Sequence, residues 1–192
     1  MKKAITIILA SAAALILPLT ASAQELKLIP EPRQVQKREG VFTVDSKTRI
    51  VINRDHEKQD RVAAEMLAEE IEKASGKRIK ITTAGRMPDS RGVIYLAQAA
   101  GDDRRLKTAL EAKGLSIDEK FDEQGYVLDS SAERIVVAGR TGQGLFYGVQ
   151  TLRQLLTRGS DKELICPAVS IKDWPALRWR GVHDDIDRKS VV

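Results

Sequence analysis

The period of apolar and polar positions changes several times along the chain, and each change marks an element. From Lys58 to Ser75 the apolar residues fall at Val62, Met66, Leu67, Ile71 and Ala74, the three-to-four spacing of one helical face, and Gly76 stands where a C-cap glycine belongs. An amphipathic helix is predicted there. "DDRRLKTALEAKG" opens on acids, puts Leu106, Ala109 and Leu110 on one side and ends at Gly114, which predicts a shorter helix. In "RTGQGLFYGVQTLRQLL", Thr141 can cap a third helix whose stripe is Leu145, Phe146, Val149, Leu152, Leu155 and Leu156.

Between these lie short runs of strand character. "VFTV" (41–44) and "RIVI" (49–52) are separated by Asp-Ser-Lys-Thr and are expected to pair as a hairpin. "RIKITT" (78–83) and "GVIYLA" (92–97) read as further strands, the second more buried. "GYVLD" (125–129) and "RIVVAG" (134–139), joined by Ser-Ser-Ala-Glu, read as a second strand pair. Strands mixed with three helices at short connections imply an α/β or α+β domain, a sheet with helices packed on one face. Pro175 biases Trp174 away from helix, which places a domain boundary between Lys172 and Pro175. The strand-like "LRWRGVHDDI" beyond it has no partner elements to pack against.

The first 23 residues have a different character. Lys2 and Lys3, an apolar stretch from Ala4 to Leu19 and then Ala21-Ser22-Ala23 describe a secretory signal cleaved after Ala23. The expectation is an exported product, periplasmic or secreted, with no membrane association after cleavage. Two of the 32 basic residues and none of the 27 acidic ones leave with the leader, so the formal charge falls from +5 to +3. That mild excess is scattered, and aromatics make up only 4% of the chain, so a nucleic-acid partner is not expected. The single cysteine, Cys166 in "LICPAV", reads as a small buried hydrophobe. Apolar residues at 42% and charged residues at 31% are those of a folded globular domain.

Candidate chemistry is sparse. The glycines of "GRTGQGLFYG" fit neither G-x-G-x-x-G nor G-x-x-x-x-G-K-[ST], so no nucleotide cofactor is expected. Gly139 and Gly142 suit a tight turn, and Gly144 and Gly148, one helical turn apart, suit close helix–sheet approach. Asp118-Glu119 and Asp122-Glu123 lie in a polar connection where nothing desolvates one acid against the other, so they read as solvated loop. In a strand, His183 and Asp185 could share an ion but Asp184 would point away, and two ligands make a poor site. No metal is expected.

Three stretches together carry a resemblance: "LIPEPRQVQKREGVF", "GRTGQGLFYGVQTLRQLL" and "VSIKDWPALRWRGVHDDIDR". In this order they are similar to the front of the family 20 glycoside hydrolases, the β-N-acetylhexosaminidases, and the likeness runs from about Leu28 to Arg188. The resemblance implies three parts: a signal at 1–23, an accessory α/β domain at 24–172, and at 173–192 the first strand of a (β/α)8 barrel that lacks its remainder. A barrel takes roughly 250 residues. The implied partners are a terminal N-acetylhexosamine carbohydrate, in the complete enzyme, and the catalytic barrel on which this domain packs.

The implied reaction is substrate-assisted: the sugar's own 2-acetamido oxygen attacks the anomeric carbon, an aspartate orients it, and the adjacent glutamate protonates the departing oxygen. No residue of this chain matches that Asp-Glu pair, so no catalytic residue is assigned. Arg188 matches the family arginine that grips neighbouring hydroxyls of the terminal sugar, and Arg180 and Asp185 match supporting positions. The chain has Asp187 where the family usually has serine, and "KSVV" departs from the family continuation. Two other readings stand beside this one: the accessory domain of a related glycosidase, such as an α-glucuronidase or an O-GlcNAcase-like enzyme, and a free-standing carbohydrate-binding module.

Overall fold

The computed structural model describes residues 26–99, 103–118, 121–159 and 163–177. The elements run β1 (Gln34–Thr43), β2 (Arg49–Asn53), α1 (Glu57–Ser75), β3 (Lys80–Ala84), β4 (Val93–Gln98), α2 (Arg104–Glu111), β5 (Tyr126–Ser130), β6 (Arg134–Gly139), α3 (Gly142–Leu155), β7 (Thr157–Arg158) and β8 (Leu164–Asp173). One eight-stranded sheet has the order β1-β8-β5-β6-β4-β2-β3, with β7 pairing beside β8.

Strands β3, β2, β4 and β6 run parallel, and β5, β8 and β1 complete the sheet antiparallel to their neighbours. The expected hairpin between 41–44 and 49–52 does not form: β1 pairs with β8, and β2 lies between β3 and β4. The reason lies in the residues. Ile50, Val51 and Ile52 are all buried, so β2 needs cover on both faces and both edges. The mostly polar β1 suits the rim. The second expected pair, β5 with β6, forms as read, Tyr126 opposite Gly139 and Ser130 opposite Ile135.

Neighbouring strand residues point to opposite faces, and two cores result. Ile50, Ile52, Ile94, Leu96, Ile135 and Val137 pack under α1 and α3. Val51, Val93, Tyr95, Val136 and Ala138 pack under Leu106 and Leu110 of α2. The two longer helices therefore share one face as expected, but α2, expected on that face too, covers the other, because Leu106 and Leu110 pack on the opposite side of the strands. Each fully buried Leu or Ile contributes about 1.5–3 kcal/mol.

Helix boundaries follow their caps. Gly76 closes α1 in the left-handed region at φ 71°, and the Thr141 hydroxyl accepts from the Gln143 and Gly144 N–H groups to open α3. One expected core position fails: Val62 is exposed, and α1 instead buries Ala63, Ala64, Leu67 and Ile71. The two alanines let the helix sit close to the sheet. Gly148 does the same for α3, since a Cβ there would stand 2.5 Å from Val137 Cγ1 and 3.0 Å from Tyr126 Cδ2. Glycines read in the sequence as close-packing residues are used in that way.

Candidate functional site

The end of β8 and one side of α3 meet the chain that leads into β1. Gln154 of α3 clips the incoming chain: its Oε1 accepts from the Ile29 N–H at 2.9 Å and its Nε2 donates to the Ile29 carbonyl at 3.0 Å. The Ile29–Pro30 bond is cis, and the Ile29 side chain is left 81% exposed. Beside it, Tyr126, Tyr147, Gln150, Thr151, Trp174 and Pro175 border a small cavity of about 100 Å³. The Tyr126 hydroxyl is 2.6 Å from Thr151 Oγ1, and burial raises the phenol well above its ordinary value.

This surface holds donors without acceptors. Arg153 Nη2 pairs with Glu70 at 2.7 Å and its Nη1 donates to Gln150 Oε1 at 2.7 Å, but Arg153 Nε and Gln150 Nε2 are buried and donate to nothing among the described residues. Buried donors of this kind are costly unless an acceptor reaches them. Exposed Leu177, at 66%, adds apolar area next to the chain's exit from the sheet.

Two polar clusters lie elsewhere, and neither was legible as a cluster in the sequence. Asp129 on β5 is 3% exposed and accepts from Arg38, from Lys113 and, at 3.0 Å, from the Ser170 hydroxyl. Arg38 reaches it because β1 bulges between Lys37 and Val41. Asp60, in the first turn of α1, is 1% exposed; one oxygen accepts from Gln98 Nε2 at 2.8 Å and Oδ2 has no partner among the described residues. Burial pushes its carboxyl above the usual 3.8, against the opposing pulls of the Gln98 amide and the His56 charge.

The raised Asp60 value has a consequence for stability. The folded state holds this proton more tightly than the unfolded chain does, so the benefit is complete below pH 3.8 and is lost as pH rises through the raised folded value. At neutral pH the ionised form burdens the fold. Asp60→Asn should therefore raise the melting temperature at pH 7, and the gain should fade toward acid. Melting curves from pH 3 to 8 check this; an equal loss at every pH would rule it out.

Asp118, Asp122 and Glu123 lie between α2 and β5 as expected, and two of them contribute backbone carbonyls there. The Asp118 carbonyl accepts from Arg140 Nη1 at 3.1 Å, and the Glu123 carbonyl accepts from the Thr141 hydroxyl at 2.6 Å. They help seat the start of α3. Glu119, Arg180, His183, Asp184, Asp185, Asp187 and Arg188 lie outside the described residues. Within the described residues no group of three or more His, Cys, Asp or Glu could hold a metal ion. Cys166 is buried, and desolvation pushes its thiol up to about 11, so it is unreactive at neutral pH.

What the fold defines is an α/β domain, a mixed eight-stranded sheet with helices packed against both faces. Comparison with known proteins names its family. The model of glycosyl hydrolase family 20, domain 2, matches residues 25–174, and the chain belongs to that family. The beta-hexosaminidase of Porphyromonas gingivalis is 31% identical over 169 residues, which is 85% of this chain and 19% of that protein. The Streptomyces plicatus N-acetyl-beta-hexosaminidase, solved with Thio-NAglucal, superposes with a TM-score of 0.60 at 26% identity over 79% of this chain and 26% of that one. The Flavobacterium johnsoniae chitobiase shares the fold, with a TM-score of 0.60 at 20% identity over 80% of this chain and 21% of that one. This chain thus spans about a fifth to a quarter of the length of these relatives.

Proposed function

We propose that this chain is the non-catalytic N-terminal part of an exported β-N-acetylhexosaminidase, periplasmic or secreted, that removes terminal N-acetylhexosamines by the substrate-assisted retaining route. The observation that carries the reading is the family match over 25–174, together with relatives of which this chain covers only 19% and 26%. In the complete enzyme the catalytic barrel follows Asp173 and packs on this domain. The side that carries Ile29 is the side offered to it, because that side chain is 81% exposed and borders the cavity shared with Trp174 and Pro175 at the end of β8. Arg188 would sit just past the first barrel strand, where a guanidinium fork can hold two sugar hydroxyls at once. By itself the chain is inert, since it supplies none of the acetamido-orienting and acid groups.

Two measurements test this. The purified chain should show no turnover of a chromogenic N-acetyl-β-glucosaminide above a mock preparation, and turnover would refute the inert assignment. Residues 25–174 put in place of the matching segment of the Porphyromonas gingivalis relative should give a soluble chimera that hydrolyses the same substrate; an insoluble or inactive chimera would count against the reading. Ile29→Asp should leave the melting temperature of the isolated chain unchanged, because the side chain is 81% exposed, yet lower that of the chimera.

A further inference from the structure

We propose that Arg33 and Trp174 form a locked joint that fixes the direction in which the chain leaves the sheet. The antiparallel register of β1 and β8 sets Gln34 opposite Lys172, so Arg33, the residue before β1, arrives beside Asp173 at the end of β8. It makes three contacts there. Its N–H donates to Asp173 Oδ1 at 3.2 Å, its Nε donates to the Trp174 carbonyl at 2.8 Å, and its guanidinium carbon stands 5.1 Å from the centre of the Trp174 ring.

The same ring has a second anchor. Phe121, 1% exposed in the core under α2, lies 5.4 Å from it at a tilt of 42°, and Lys172 Nζ stands 5.4 Å over the Phe121 ring. Asp173 is held in the ladder opposite Tyr126. Pro175 comes next; it fixes its own φ and keeps Trp174 extended. On the incoming side, Pro30 and Pro32 stiffen the segment that carries Arg33. The exit therefore has its backbone, its carbonyl and its side chain each held by a different part of the fold.

Arg33 itself is exposed and fills no core. What its three contacts restrain is the last residue of β8 and the one after it. A hinge would leave the Trp174 carbonyl and ring to solvent; here both are engaged by a residue 141 positions earlier. The consequence for the orientation of a following catalytic domain rests on the proposed function, but the joint can be tested without substrate or activity.

The chain has two tryptophans, so Trp179→Phe leaves Trp174 as the only indole reporter. In that background, Arg33→Ala should raise the acrylamide quenching constant of Trp174 about threefold, the loss expected for one exposed cation–π contact and its hydrogen bond. The urea midpoint of the whole fold should stay in place. Arg33→Lys keeps the charge without the planar fork and should restore only part of the protection. Unchanged quenching in Arg33→Ala, or a rise matched by a lower urea midpoint, would overturn the proposal. An inactive chimera with the expected quenching result would remove the hexosaminidase reading and leave the joint standing.

Discussion

Gly144→Ala should cost the domain about 2–3 kcal/mol, even though alanine is the better helix former. A Cβ at Gly144 would overlap the carbonyl oxygen of Gly125 and stand 3.1 Å from its carbon and 3.3 Å from the carbonyl carbon of Gln124. All three are backbone atoms, so no side chain can swing away, and α3 must lift from the β5 entry. Lifting it pulls Leu145, Val149 and Leu152 from the core they share with α1. The propensity gain of about 1 kcal/mol does not offset this. Gly85→Ala is the control: nothing lies within 4 Å of its Cβ position, and the change should be neutral or stabilising. Urea denaturation of the two variants measures the difference, and equal midpoints would refute the packing argument.

Asp129→Ala should cost a similar amount by another mechanism. Removing one partner of a buried ion pair typically costs about 3–5 kcal/mol. Here the stranded cations, Arg38 and Lys113, are 30% and 37% exposed at the side chain, so water recovers part of the loss. About 2–3 kcal/mol is expected. The carboxylate joins the bulge of β1, the turn after α2 and the middle of β8, so edge strand β1 should loosen first. If charge is the cause, adding Lys113→Met to Asp129→Ala should recover stability relative to Asp129→Ala alone. A purely additive pair, each loss independent of the other, would contradict the network. Amide exchange along β1 would report the loosening directly.

The readable parts of this fold are those in which cause and effect lie close in sequence. Gly76 closes α1 and Thr141 opens α3 through their own backbones, and the Ser131 hydroxyl accepts from the Arg134 N–H at 3.3 Å across the β5–β6 turn. The unread parts depend on residues far apart. A short apolar run such as "RIVI" has the same periodicity whether it pairs with its chain neighbour or sits inside a parallel sheet, so the hairpin expected with "VFTV" was not distinguishable from the real arrangement. Val62 belongs to the apolar spacing of α1, yet the choice of buried face fell to Ala63 and Ala64, which allow a closer approach to the sheet.

The candidate site divides in the same way. "LIPEPR" and "KDWPAL" are visible as proline-marked segments, but only strand register brings Arg33 to Trp174, and only the packing of α3 on the sheet brings Gln154 to Ile29. The amino-acid sequence by itself determined the helices, their caps, the close-packing glycines and the family likeness, because each rests on short-range spacing or on motif residues in order. Tertiary structure alone decided the strand order, the two-sided core and the partners of Asp129, Asp60 and Arg33. Those depend on contacts between residues 16 to 141 positions apart, for which local periodicity carries no energy term.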